Sequence, residues 1–170
     1  MACNLTTGRL DNCTDSIGGL DYVEFADYDS TMATSASYAV GDTDVITDFG
    51  VTPTWYKYEL NSTANSYIEN VNSDMDAGTT FYEQVLSLSL QKLDKTSHKE
   101  LKLVTYGRPQ VRITDRNGNK FLMGLTRGAK VTGGTIGTGG DLAEFTGYTL
   151  TMTGREPLPA NFLSGSAATV

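Results

Sequence analysis

The chain has 170 residues, of which 39% are hydrophobic and 19% charged, and its formal net charge is −7. This length predicts one domain with a real core, and no apolar run approaches the roughly 20 residues that cross a bilayer. The acidic balance disfavours a nucleic-acid-binding domain, which is usually basic overall. One histidine, His98, and two cysteines leave few ways to build a closed zinc site or a catalytic triad.

Charge is distributed unevenly along the chain. Residues 1–50 contain nine acidic side chains and one basic, whereas residues 101–170 contain eight basic and four acidic. Such polarity favours contacts between copies through opposite charges, so we expect an assembly protein. The expected subunit interface joins acidic residues near the N-terminus to a basic run: Asp21, Glu24, Asp27, Asp29, Arg108, Arg112, Arg116, Lys120, Arg127 and Lys130.

Residues 1–20 show little periodicity and predict an N-terminal arm. The segment has no apolar core of a secretory signal, which argues for a reducing compartment. We therefore expect Cys3 and Cys13 to be free thiols on this arm, and a disulfide between them stays open as the alternative.

The first half of the domain is predicted to be strands. Residues 80–92 give the clearest signal, because Gln84, Leu86 and Leu88 fall on one face and Glu83 and Val85 on the other. Residues 29–42 are small and polar and predict a loop. Four shorter strands are predicted at residues 21–28, 44–49, 55–60 and 66–71.

Residues 94–104 predict the one credible helix. Thr96 or Ser97 can cap its start, with Glu100 in position for a capping box, and Gly107 followed by Pro109 ends it. The segments after the helix are predicted as a hairpin of residues 111–114 and 121–125 around Asn117-Gly118, a glycine-rich loop at 126–141, and a last strand at 144–153.

This order of elements predicts a mainly β fold, a β-sandwich or barrel with one packed helix. The predicted organisation is an arm at residues 1–20, a single β-rich domain at 21–160 and a C-terminal tail at 161–170.

Two segments have spacings that resemble ligand-binding motifs. Asn72, Asp74, Asp76 and Glu83 have the spacing of a calcium loop, but Ala77 replaces its glycine and the flanks predict strands, so a polar hairpin turn is expected. Residues 133–140 are glycine-rich, but no Gly-Lys-Ser/Thr follows, so a phosphate loop is not expected. Asp42 and Asp44 are expected to be solvated rather than catalytic.

The two ends of the chain resemble a known group of proteins. Residues 1–9, with Cys13 and residues 15–19, resemble the start of structural proteins from crAss-like and related tailed phages. Residues 124–163 resemble the closing region of tail-tube-type subunits, in which a glycine-rich loop precedes a strand of the form Gly-Tyr-Thr-Leu-Thr-Met-Thr-Gly, here residues 147–154. The resemblance implies a tail-tube-like fold and a virion protein that forms rings in the tail or at the head–tail junction.

The expected partners are therefore copies of the chain in a ring, adjacent tail or connector proteins, and genomic DNA that passes without specific binding. We expect no enzymatic activity, no metal, no cofactor and no membrane contact, and location in a virion assembled in the host cytoplasm. A secreted or phage-borne hydrolase stays open as an alternative, and so do two non-enzymatic roles. One is a capsid-surface or head-decoration protein, and the other is a carbohydrate-binding module that uses Trp55, Tyr56 and Tyr58.

Overall fold

The computed structural model of the chain describes residues 8–9 and 14–169. Cys3, Cys13 and most of the predicted arm lie outside this part, so their predicted state stays a prediction. The fold is mainly β, with 47% of the described residues in strands and 13% in helices, and the described strands form two sheets without a closed barrel. The predicted mainly β fold with one packed helix is confirmed.

Eleven strands are present in the described residues: β1 Leu20–Ala26, β2 Ser37–Ala39, β3 Asp42–Asp48, β4 Tyr56–Glu59, β5 Ser66–Asp74, β6 Thr79–Gln91, β7 Gln110–Asp115, β8 Lys120–Met123, β9 Lys130–Gly137, β10 Gly147–Glu156 and β11 Asn161–Leu163. The helices are α1 Met32–Ser35, α2 Lys95–Tyr106 and a 3-10 turn at Gly165–Ala168.

The strands form a large sheet in the order β2-β3-β11-β8-β7-β1-β4 and a small sheet in the order β5-β6-β10-β9. Neighbouring strands are antiparallel, except that β11 runs parallel to β3. Because β11 also pairs with β8, this last strand joins β2 and β3 to the rest of the large sheet.

The main core lies between the two sheets. On β6 the side chains of Gln84, Leu86 and Leu88 are buried, and on β10 those of Leu150 and Met152 are buried, while the alternating residues are more exposed. This alternation confirms the face predicted for residues 80–92. From the large sheet, the facing side chains are Val23, Phe25, Val111, Ile113 and Met123.

A second apolar cluster covers the other face of the large sheet. It is built from α1, β3, the segment before β4 and the C-terminal segment, with the buried side chains Met32, Ile46, Phe49, Leu122, Leu163 and Ala167. The centre of the large sheet, β7 above all, is therefore buried on both faces, while its outer strands β2, β3 and β4 are mostly exposed. The small sheet has one face against the core and one face uncovered.

Helix α2 begins at a different residue from the one predicted. Asp94 is the N-cap, and its carboxylate accepts hydrogen bonds from the backbone N–H groups of Thr96 and Ser97. These bonds, led by that of Ser97, lower the pKa of Asp94. Asp94 precedes Thr96 by two residues and already accepts from the free backbone N–H groups at the start of the helix. The capping box predicted for Thr96 or Ser97 therefore does not form. Gly107 ends the helix, as predicted.

Three predictions made for loops are wrong. Residues 29–42 contain α1 and β2, residues 126–141 contain β9, and residues 161–168 hold β11 and a 3-10 turn instead of a free tail. The strands in these segments are held by their partners: β2 pairs with β3, β9 pairs with β10, and β11 pairs with both β3 and β8. Tertiary pairing outweighed weak local propensity in these segments.

The end of the predicted arm is also attached. The Asn117 side chain accepts a hydrogen bond from the N–H of Ile17 and donates one to its carbonyl, both at 2.8 Å. The carbonyl oxygen of Gly19 accepts a hydrogen bond from the backbone N–H of Arg116, and Leu20 is the first residue of β1. The arm therefore meets the domain at residue 17, on the turn between β7 and β8.

Candidate assembly surface

The small sheet has two open edges. Within the described residues, β5 pairs only with β6, and β9 pairs only with β10. The outer side of each edge strand carries backbone N–H and C=O groups that can pair with a strand of another chain. Both edges are long, with nine residues in β5 and eight in β9.

The strand directions determine how these edges can meet. All three pairings inside the small sheet are antiparallel, so β5 and β9 run in opposite directions. A rotation about an axis along the strands preserves their directions. Copies related by such a rotation bring β9 of one copy beside β5 of the next as antiparallel neighbours. The contact is heterologous, and a closing rotation makes a ring.

The uncovered face of the small sheet is rich in hydroxyl groups. Thr149, Thr151 and Thr153 on β10 alternate with the buried residues of that strand and point to this face. The Thr135 and Thr149 hydroxyls lie 2.6 Å apart. The Glu83 carboxylate accepts a 2.9 Å hydrogen bond from Arg155, so these two charges neutralise each other. The face is therefore mostly polar, and it also carries the neighbouring apolar residues Ile68 and Val85 and the exposed Lys130.

The predicted interface residues Glu24 and Arg112 are not on the surface. Both side chains are completely buried and form an ion pair inside the subunit, at 2.5 and 2.8 Å. The prediction that they contact another copy is wrong. Opposite charges attract within a chain as they do between chains, and here the register of β1 and β7 places the two residues directly opposite each other.

Three further residues of the predicted interface have contacts within the subunit. Asp29 accepts hydrogen bonds from the N–H and hydroxyl of Thr31, which lower its pKa. Lys120 donates to the carbonyl of Ala168. The Arg108 guanidinium stacks 3.9 Å above a tyrosine ring. The other five are exposed and form no ion pair with a described residue: Asp21, Asp27, Arg116, Arg127 and Lys130.

The calcium-like spacing does not become a cation site. Asn72 and Asp74 lie on β5, Asp76 lies in the turn, and Glu83 lies on β6 opposite Asn70, four residue pairs beyond the turn. The Asp74 carboxylate accepts from the N–H groups of residues 76 and 77, which is the bonding of a polar hairpin turn. Among the described residues, no group of three His, Cys, Asp or Glu side chains is arranged to hold a metal.

Two of the three aromatic residues considered for carbohydrate binding pack within the subunit. Trp55 is half-buried between Phe49, at 5.9 Å between ring centroids, and the Arg112 guanidinium at 4.7 Å. Tyr58 is half-buried edge-on to Phe25, and burial followed by the nearby Glu100 raises its pKa. Tyr56 is the exposed member of the three. Trp55 and Tyr58 are thus not free to stack on a sugar.

Sequence analysis missed the two open edges. The edge strand β9 contains four glycines or threonines in a row at 132–135, which favours a loop by composition, although Val131 and Ile136 are strand formers. The available signal was this pair of β-branched residues. The sequence of one segment does not identify the strand with which it pairs. Only the tertiary structure shows which strands lie at the edge of a sheet.

Comparison with models of known protein families finds no match for this chain, and neither does comparison with characterised proteins or with solved structures. Within the described residues, no helix is both long enough and apolar enough to cross a membrane.

Proposed function

We propose that the chain is a structural subunit of a phage virion that forms a homo-oligomeric ring in the tail tube or head–tail connector, through which DNA passes. The observation that carries this proposal is the small sheet, with one face on the core and both edges open. An open edge that stays exposed promotes uncontrolled aggregation, whereas lateral closure of β9 on β5 removes both edges at once.

The resemblance of residues 1–19 and 124–163 to virion proteins of tailed phages supports the same role. It supplies the biological setting, which geometry alone does not. Adjacent tail or connector proteins would then contact the rims of the ring, and the protein would reside in the virion after assembly in the host cytoplasm.

The uncovered face of the small sheet suits the lumen of such a ring. Its threonine and serine side chains and its internally paired Glu83 and Arg155 offer no row of free cations. Affinity for DNA is dominated by lysine and arginine contacts with phosphates, so a wall with few unpaired cations suits DNA that passes without sticking.

Electron microscopy of the purified protein tests the proposal first, with closed rings as the expected result. Light scattering across a salt series should show weaker association as salt rises, because exposed ion pairs are screened. A mass equal to one chain at every concentration and salt would contradict the proposal. Trimeric particles, or particles that assemble into a flat layer, would favour the head-decoration alternative.

Cysteine cross-linking then tests the edges themselves in a Cys3→Ser, Cys13→Ser background. Ser66→Cys, Ile68→Cys and Asn70→Cys on β5 are each combined with Thr135→Cys on β9, so that the three pairs sample the register. Within one chain the two edges are about 14 Å apart, beyond disulfide reach. One pair should give covalent oligomers. Ser37→Cys with Thr135→Cys is the control, since Ser37 lies at an edge of the large sheet.

A further inference from the structure

Helix α2 presents a row of three lysines to solvent. Lys95, Lys99 and Lys102 follow one another at intervals of four and three residues, which places them on one face of the helix. All three are exposed, and none forms an ion pair with a described residue. Leu101, on the opposite face, packs into the main core. Tyr106, which is 78% exposed, continues this lysine row by one turn.

The opposite charge gathers on β3. Residues 10–56 contain no lysine or arginine. Within this stretch, β3 carries three exposed carboxylates that form no ion pair with a described residue, those of Asp42, Asp44 and Asp48. Val40 is fully exposed and precedes them in the turn between β2 and β3. These four residues form an acidic end with one apolar side chain.

The lysine row and the acidic end lie on opposite sides of the subunit. Leu103 and Val104 of α2 line a groove together with Tyr56 and Tyr58 of β4. β4 is the last strand at one end of the large sheet, and β3 is five strand spacings away from it. This separation is about 24 Å, and a lysine side chain spans only a small part of it. The two groups therefore cannot pair within one subunit.

Each group accompanies one open edge of the small sheet. Helix α2 packs beside β9. At the other edge, Tyr67 of β5 stacks on Phe121 of β8 with ring centroids 6.2 Å apart, so β5 lies over β8. The large sheet continues beyond β8 with β11, β3 and β2, and the acidic end therefore projects past the β5 edge. Joining β9 of one copy to β5 of the next brings the lysine row of the first toward the acidic end of the second.

Helix α2 runs in the same direction as β10. The helix begins beside Tyr148, near the start of β10, where the tyrosine hydroxyl donates to the carbonyl of the N-cap residue. Just after the helix, the carbonyl of Pro109 accepts from the N–H of Ala129. Ala129 directly precedes β9, whose first residue pairs with Thr153, toward the other end of β10. The lysine row thus extends along the strand axis of the small sheet.

Strand β3 runs in the opposite direction. The end of β7 and the start of β5 line the same cavity, so these two strands are antiparallel. β3 is parallel to β7, because β7, β8 and β11 alternate in direction and β11 is parallel to β3. β5 and β10 are parallel, since both are antiparallel to β6. α2 and β3 are therefore antiparallel, so Tyr106 and Val40 lie toward the same end of the subunit. A rotation about an axis along the strands preserves this match.

We propose that the lysine row of one copy contacts the acidic end of the neighbouring copy, with Tyr106 against Val40. The proposal rests on the head-to-tail ring proposed above and names the charged contact within its interface. Complementary charges guide the orientation of a contact more than they add affinity. The contact thus helps select which edge meets which, and it supplies the exposed ion pairs that added salt screens.

Zero-length cross-linking of the full wild-type chain tests the contact directly. A carbodiimide joins a lysine to an aspartate only where the two side chains touch. Cross-links between the lysine row and the acidic end are expected, located by mass spectrometry of the digested protein. The separation of about 24 Å within one subunit means that every such cross-link joins two copies.

Charge reversal tests the contribution of the contact to self-association, measured by sedimentation velocity. Asp44→Lys should raise the apparent dissociation constant about threefold or more at low salt, because an attractive contact becomes a repulsive one. About 1 M salt, with a screening length of about 3 Å, should remove the difference. Asp141→Lys is the matched control, because Asp141 is also exposed but lies between β9 and β10, and it should not weaken association.

This pair of variants separates the contact from a general effect of charge. Both changes bring the net charge of −7 closer to zero, so reduced overall repulsion would strengthen association in both. Adding Lys99→Glu and Lys102→Glu to the Asp44→Lys chain should restore association. Circular dichroism confirms that each variant is folded.

A nucleic acid is the other polyanion that a row of lysines could bind, and fluorescence anisotropy with a labelled DNA duplex tests it. No binding is expected. DNA binding that Lys99→Glu removes while association stays unchanged would overturn the proposal. Rings that form without these cross-links, and equally well with Asp44→Lys, would overturn the charged contact and leave the ring intact. Absence of any oligomer in the wild-type chain would overturn both proposals.

Discussion

Glu24 and Arg112 lie directly opposite each other on β1 and β7, and both side chains are completely buried. Two nitrogens of the Arg112 guanidinium donate to the Glu24 carboxylate, and the third donates at 2.8 Å to the carbonyls of Ala167 and Thr169. A single cation thus links the middle of the large sheet to the C-terminal segment, and its charge and four of its five N–H donors are used inside the subunit.

The first prediction concerns this ion pair. Arg112→Ala should lower the free energy of unfolding by about 3–5 kcal/mol, because it leaves the Glu24 carboxylate buried without a partner. Arg155→Ala is the matched control: Arg155 also pairs with a glutamate, but at the surface, where such pairs contribute about 0–1 kcal/mol. Urea unfolding measures both. Equal losses in the two variants would contradict a special role for the buried pair.

A second prediction compares two adjacent glycines of β9. A Cβ added at Gly134 would overlap the carbonyl oxygen of Thr149, whereas a Cβ at Gly133 meets nothing within 4 Å. Gly134→Ala should therefore destabilise the protein by about 1–3 kcal/mol, as overpacking does, and Gly133→Ala should change it by less than about 0.5 kcal/mol. Thermal unfolding gives the comparison, and hydrogen exchange should locate the loss in β9. Equal stability of the two variants would show that β9 moves away freely.

A third prediction concerns acid stability through Asp115, in the turn between β7 and β8. Burial raises the pKa of Asp115, but hydrogen bonds from Asn119 and Asn117 together outweigh it and lower the pKa. A lowered pKa means that the carboxylate stabilises the fold at higher pH and that this contribution is lost as the pH falls below about 4. The variant Asp115→Asn should therefore lose less stability between pH 5 and pH 2 than the wild type. An unchanged pH profile would contradict this assignment.

A fourth prediction concerns cations. Addition of EGTA should leave the melting temperature unchanged, because Glu83 pairs with Arg155 and lies far along the strand from Asp74 and Asp76. Differential scanning fluorimetry with and without calcium checks this expectation. If chelation lowered the melting temperature by several degrees and Asp74→Ala removed the effect, the hairpin turn would be a calcium site after all.

The sequence alone determined the elements whose signals are local. The alternation of Gln84, Leu86 and Leu88 marked the buried face of β6, and Asn117-Gly118 marked the turn between β7 and β8. The periodicity of the segment and Gly107 predicted α2 to within two residues of its ends. The N-cap is Asp94 and not Thr96 or Ser97. These features depend on neighbours a few positions away, which a single sequence contains.

Tertiary structure alone decided the rest. The glycine-rich β9 becomes a strand because the next strand, β10, supplies its hydrogen bonds, and the three-residue β11 becomes one because β3 and β8 do so from distant parts of the chain. Long-range pairing of β1 with β7 also placed Glu24 against Arg112. Both residues are therefore buried, although their charges led us to predict them on the surface. The sequence shows that opposite charges are present. The register of the strands decides which of them remain free to contact another chain, and here it pairs two residues that are 88 positions apart.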